Sequence, residues 1–381
     1  DLLDDPNVEM VSIALPLHLH AEATIKALKK GKHVLCEKLM AHTVKQCKDM
    51  IRAADETKKL LAIGHQRHYS YLYANCRSII EQGSVVGDIR HIRAYWHRNQ
   101  AGWGAEGAES GKYDSWFKAV PDADLKVDFA KYGYKSMEEL VRWRVHNRTG
   151  AGLVAELGSH QLDACSIFLG KVHPVSVHGT GVVSFFKDNR EVDDHVFLIF
   201  EYPKDSAAAG AVVMYSSITT NAFDGYGEQV MGTRGTLIVQ EEREAYLFKE
   251  GATKDTRVNW AEERVNRPVA NTGSTRAWAT GFDTPDTLSS RGYREQQEHM
   301  AWLIRNPDKI VWPSKENPHP ENNPETAQFV PRCHGRVGMA DAIIALVSNM
   351  CMAKGTKIHF KEEWFDPYSD AVPETEFGTQ A

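Results

Sequence analysis

Residues 8–40 read VEMVSIALPLHLHAEATIKALKKGKHVLCEKLM. Val8 to Ala14 has the composition of a strand, Ala21, Ile25 and Leu28 fall on one face of a helix, and His33 to Cys36 reads as a second strand ending on Glu37-Lys38. Two strands joined by a helix of this length make a βαβ unit, which requires a parallel sheet and a right-handed crossover. Ligands of such sheets sit beyond the carboxyl ends of the strands, where loops converge and helix N-termini offer unpaired N–H groups. Pro16, His18, His20, Glu37 and Lys38 fall at that edge, and a third strand, Leu60 to Gly64, delivers His65, Gln66, Arg67 and His68 to it.

Outward from this unit the α/β alternation continues. Thr43 is placed to N-cap a helix, with Gln46 as its capping-box partner, and Leu72, Cys76 and Ile79 mark one face of another helix that ends near Gly83. From about Asp88 the pattern changes. Ile89 to His97 predicts a strand, Arg98 to Leu140 is long, aromatic and loop-rich, and a helix carrying Glu156 and His160 follows. Strands are predicted at His173 to Val183, His195 to Tyr202, Ala211 to Ser217, Tyr226 to Met231, Thr236 to Gln240 and Ala245 to Phe248, with short connections that suit an antiparallel sheet. Lys249 to Ser290 is polar and irregular, and helices are predicted at Glu295 to Arg305 and Val337 to Cys351. The expected fold is α/β: a Rossmann-like doubly wound parallel sheet, N-terminally incomplete, over residues 1–87, then an α+β domain with a large, mostly antiparallel open sheet over residues 88–381.

Composition narrows the function classes. The chain has 381 residues, 42% hydrophobic and 25% charged, enough for two domains with full cores. A net charge of -6 argues against a nucleic-acid or anionic-membrane partner, and there is no run of 18 apolar residues or signal peptide, though the chain reads as beginning in mid-fold, which leaves the compartment open. Six scattered cysteines without a CxxC read as reduced, buried thiols.

Several residue groups carry chemistry. Lys38 could be an acid-base group, or with Glu37 a plain surface ion pair. Glu156, His160 and Asp163 lie at i, i+4 and i+7, which places them on one helical face as a proton relay, where carboxylates would orient the ring and raise its basicity, or as a solvated polar face. Arg67 and Arg144 suit either a pyrophosphate clamp or inter-domain salt bridges. Trp96, Trp103, Tyr113 and Trp116 could stack on sugar faces or simply pack. His18 and His20 have no third ligand near them in sequence, so no metal is expected. The one literal GxGxxG, Gly102 to Gly107, lacks a following helical period and reads as a loop coincidence.

HVLCEKLM with its preceding LPLHLH turn, Gly64-His-Gln-Arg67, Trp143-Arg144 six residues before Gly150, GAGLVAELGSHQLD at residues 150–163, and the terminal Ala340-Asp-Ala-Ile-Ile and Trp364-Phe365-Asp366 together resemble the glucose-fructose oxidoreductase and inositol dehydrogenase (Gfo/Idh/MocA) family. Three departures stand out: Leu39 replaces the family's usual proline after Glu-Lys, Leu15 a threonine, and Glu156 an aspartate. The resemblance implies NAD or NADP bound along Pro16, His20, Glu37, Lys38, Gln66, Arg67, Trp143 and Arg144. It implies a catalytic set of Lys38, His160, Glu156 and Asp163 acting on a sugar, cyclitol or glycoside, and a homodimer or homotetramer. It also implies that the first two strands of the Rossmann half, roughly 60 to 75 residues, precede Asp1. Two alternatives to net dehydrogenation remain open: a cofactor-recycling glycoside lyase or hydrolase that passes through a keto-sugar, and a non-catalytic sugar- or nucleotide-binding relative. Turnover without net reduced cofactor distinguishes the first; cofactor binding without turnover distinguishes the second.

Overall fold

The computed structural model describes residues 2–100, 116, 119–250, 258–259 and 290–378. The Gly102 to Gly107 motif, Trp103, Tyr113 and most of the polar segment Lys249 to Ser290 therefore lie outside the described residues.

β1 (Met10–Ile13), α1 (His20–Lys29), β2 (His33–Cys36), α2 (Val44–Thr57), β3 (Leu61–Ile63) and α3 (Tyr71–Glu81) form the opening α/β layer. Its three strands are parallel in the order β1-β2-β3, with Ile13 opposite Cys36 and Cys36 opposite Ile63. The strands are short: β1 runs out ahead of Pro16, β2 at Glu37-Lys38 and β3 at Gly64-His65. Thr43 and Gln46 make the reciprocal capping box that starts α2, and Lys58 ends it in a left-handed conformation. Leu28, Val34 and Ile63 are fully buried in this layer, each worth about 1.5 to 3 kcal/mol relative to exposure.

β4 (Ile89–His97) opens a second sheet, reached again after α4 (Met137–Val141), a π-helical turn (Val154–Gly158) and α5 (Ser159–Phe168). Next come β5 (Ser176–Val182), β6 (His195–Glu201), β7 (Val212–Ile218), β8 (Tyr226–Gly232), β9 (Gly235–Gln240), β10 (Glu244–Lys249) and β11 (Val258–Asn259). They are followed by α6 (Tyr293–Arg305), α7 (Gly335–Lys354) and β12 (Ile358–His359). The nine strands run in the order β11-β10-β9-β8-β4-β7-β6-β5-β12, antiparallel except for β4 against β7. Alternation along β6 buries Val196, Leu198 and Phe200 under the helices and leaves Phe197 and Ile199 on an open face.

α7 joins the two layers. It is 20 residues long and its most apolar 18-residue stretch averages 1.4 in hydropathy, a length and composition that could cross a membrane, yet 78% of that stretch is buried inside this fold. It begins at His334, whose side chain accepts from the Arg336 N–H, and Gly338 lets it press on β3, where a Cβ would come within 2.4 Å of Ile63. One apolar cluster consequently runs from Val11 and Val34 through α7 to Val213 and Val239. All six cysteines are free and buried, as expected from their spacing.

Candidate active site

Past Cys36 the chain is held by neighbouring strand ends: the Glu37 N–H donates to the Ile13 carbonyl at 2.8 Å, and the Gly64 N–H to the Cys36 carbonyl at 2.8 Å. Gly64 allows a close approach here, since a Cβ would come within 3.1 Å of the Glu37 Cα and 2.8 Å of its carboxylate. The Lys38-Leu39 peptide, where the resembled motif has proline, is cis. Lys38 reaches across to the second layer, its ammonium donating to the Glu156 carbonyl oxygen at 2.7 Å.

That carbonyl belongs to the π-helical turn, a form that recurs at functional sites because the wider turn changes which backbone and side-chain groups face a given direction. The side chains of the expected i, i+4, i+7 face go to separate partners. The Glu156 carboxylate pairs with Arg144 at 2.9 Å, the His160 ring lies 5.6 Å from the Trp96 ring, and Asp163 receives a hydrogen bond from His68 at 2.7 Å. Three side chains predicted to form one relay thus have three different partners. The expectation that carboxylates raise the basicity of His160 is corrected as well. Burial, then the positive charges of Lys38, Arg67 and His65, hold this imidazole well below its ordinary 6.5, and its Nδ1 is buried without a partner.

Trp143 and Arg144 border the same place. The Arg144 guanidinium lies 4.2 Å from the centre of the Trp143 ring, and Gly150 permits the close turn, because a Cβ there would come within 3.0 Å of the Trp143 carbonyl. Trp96 stacks on Tyr226 at 4.3 Å, which forms an aromatic wall beside His160. Pro16 begins the short helical turn after β1.

Other expected cofactor contacts are occupied otherwise. His20 is buried, with Nδ1 2.9 Å from the Leu39 carbonyl and Nε2 2.8 Å from the Leu15 carbonyl, so it ties the two site loops together and offers no free nitrogen to a ligand. Gln66 and Arg67 are 1% exposed. Gln66 donates to Glu242, and Arg67 donates to Glu228, Glu242 and the His160 carbonyl at 2.9, 2.9 and 2.5 Å. Arg67 follows the salt-bridge alternative: its buried guanidinium is directed at Glu242, Glu228 and the His160 carbonyl. Sequence reasoning missed Glu228, Gln161 and Asp341, which lie far apart in the chain; Gln161 and Asp341 stood inside quoted motifs, and only their buried contacts reveal their neighbours.

Among the described residues, His319, Glu321 and His334 have the spacing of a cation site, but the Lys171 ammonium already lies 2.5 Å from the same carboxylate. This group is a buried ion-pair clamp between the start of α7 and the end of α5.

A short parallel sheet edge thus faces a large, mostly antiparallel sheet, and Lys38 spans from the first to the turn that leads into His160 of the second. Two family profiles match: the oxidoreductase family, NAD-binding Rossmann fold, over residues 1–65, and the oxidoreductase family, C-terminal alpha/beta domain, over residues 125–309. The chain belongs to the Gfo/Idh/MocA family. It is 26% identical to an uncharacterized oxidoreductase of Schizosaccharomyces pombe over 238 residues, covering 62% of this chain and 54% of that one. It is also 26% identical to the NADP-dependent scyllo-inositol 2-dehydrogenase of Bacillus subtilis over 204 residues, covering 54% and 46%. The chain thus spans about half the length of the curated relatives it matches. A solved inositol dehydrogenase homologue from Azotobacter vinelandii, complexed with NADH and myo-inositol, gives a TM-score of 0.63 at 15% identity over 94% of this chain and 80% of that one, a likeness of fold.

Proposed function

We propose that this protein catalyses hydride transfer between a nicotinamide dinucleotide and a hydroxyl-bearing carbon of a cyclitol or sugar. The observation that carries this reading is the bond from Lys38, at the end of β2, to the backbone of the π-helical turn that leads into His160. In this reading residues 1–87 serve the cofactor, and residues 88–381 serve the substrate and self-association. Exposed Phe197, Ile199 and Met214 on the open sheet face support a dimer or tetramer.

The site suits the cofactor in two respects: the strand ends at Pro16, Glu37 and Lys38 converge, and Gly64 keeps the backbone open beside Glu37. Pro16, Glu37, Lys38, Trp143 and Arg144 are the residues placed to hold it, and when bound it supplies the hydride acceptor. The protein's own task is the proton. Losing hydride from a carbinol carbon leaves a carbonyl only if the hydroxyl proton departs as well. The Lys38 ammonium has donors beyond the one used on Glu156 and holds the substrate oxygen. His160, kept neutral by burial and surrounding positive charge, accepts the proton. Arg144 neutralises Glu156, so the carboxylate does not compete for Lys38. The Trp96 wall beside His160 offers an aromatic surface to the C–H face of a polyol.

The test is a reduced-nicotinamide absorbance assay with NAD or NADP against cyclitols and aldoses, using wild type, Lys38→Met and His160→Asn. Turnover in wild type that falls by about 100-fold or more in each variant is expected. Full turnover in His160→Asn would overturn its role, and cofactor binding without turnover on any polyol would overturn the reading.

A further inference from the structure

Beside Lys38 lies a second set of buried ionisable groups that the proposed chemistry does not use. Because Cys36 pairs with Ile63, Lys38 and His65 each stand two residues past paired positions at the ends of adjacent strands. His65 has no exposed side-chain surface. Its Nε2 is 3.0 Å from an Asp341 carboxylate oxygen and its Nδ1 is 3.7 Å from Asp163, which are themselves only 3% and 2% exposed. Neither ring nitrogen, neither Asp341 oxygen, nor the Asp163 oxygen facing His65 makes a well-directed hydrogen bond, so charge attraction holds the group. The other Asp163 oxygen is 2.7 Å from His68 Nε2.

We propose that His65 is a positioning residue of the site: an imidazolium gripped between Asp163 of α5 and Asp341 of α7, which ties both helices to the sheet edge one strand from Lys38. The groups bearing on it are Lys38 from the β2 end, His68 from its own segment, Asp163 and His160 from α5, and Asp341 from α7. Burial opposes its charge, but Asp163 and Asp341 outweigh burial and raise its pKa above the ordinary 6.5. A fixed cation here acts on α5 in two ways. It anchors the helix three residues beyond His160 through Asp163, and its field adds to those of Lys38 and Arg67 in keeping His160 unprotonated. The inference rests on the proposed function only in taking His160 as the proton acceptor.

Histidine-selective isotope labelling of the full chain and NMR titration test it without any turnover, with signals assigned from His65→Asn and His160→Asn. In wild type, His65 is expected to lose its proton only above the 6.5 of an ordinary imidazole. In His65→Asn, the His160 titration is expected to move up by about one pH unit. Asp341→Asn, which preserves side-chain shape, is expected to lower the His65 titration and so covers the case in which His65→Asn folds poorly. A His65 that titrates below 6.5 in wild type, or a His160 titration unmoved in His65→Asn, overturns the proposal. A dehydrogenase assay that fails while these titrations hold would count against the proposed reaction alone.

Discussion

Glu228 is a carboxyl that folding obliges to keep its proton into the neutral range. It has no exposed surface and accepts from Arg67 at 2.9 Å, Gln161 at 2.8 Å and Tyr73 at 3.0 Å. Burial, only partly offset by Arg67, pushes its pKa from 4.5 up to about 7. The sign follows from proton binding. Between these two values the folded state holds more protons than the unfolded chain, so stability is greatest at low pH and falls as pH rises towards 7. A gap of roughly two to three pKa units corresponds to about 3 kcal/mol. Glu228→Gln keeps the shape and has no proton to lose. The stability of the variant relative to wild type should therefore move in its favour by about 3 kcal/mol between about pH 4.5 and about pH 8. Urea unfolding followed by circular dichroism, on both proteins at both pH values, measures this directly. Parallel pH dependence in the two proteins would refute the assignment of a buried, protonated Glu228.

Two further outcomes follow from the same structure. The kcat/KM profile for whichever polyol is turned over should keep its activity below pH 6.5, because a base with a depressed pKa stays unprotonated as pH falls; an acid limb at or above 6.5 would contradict the environment of His160. Glu321→Gln strands the Lys171 ammonium, whose side chain is only 7% exposed, and should cost about 3 to 5 kcal/mol in a urea midpoint experiment; a loss under about 1 kcal/mol would mean that the clamp is relaxed in solution.

The alternation of short apolar runs with amphipathic helices was enough to place β1 to β3, and the strand-like runs that follow placed β4 to β10 within three residues, because these patterns are local. The capping box at Thr43 and Gln46 was legible for the same reason. Spacing put Lys38 at a strand end and His160 on a helix face, but left each with a plain structural alternative; the resemblance to the family is what singled them out. What spacing could not supply was partner choice. The π-helical turn at Val154–Gly158 breaks the 3.6-residue period, and Glu156 pairs with Arg144 while Asp163 pairs with His68, partners that i, i+4 counting has no means to register. Arg67 read equally well as a cofactor clamp or a salt bridge, and the outcome depended on Glu228 and Glu242, more than 150 residues away. His65 likewise meets Asp341 only because Gly338 lets α7 press against β3. Periodicity is a property of neighbouring residues, whereas the charge state and freedom of a buried side chain belong to whatever tertiary packing brings against it.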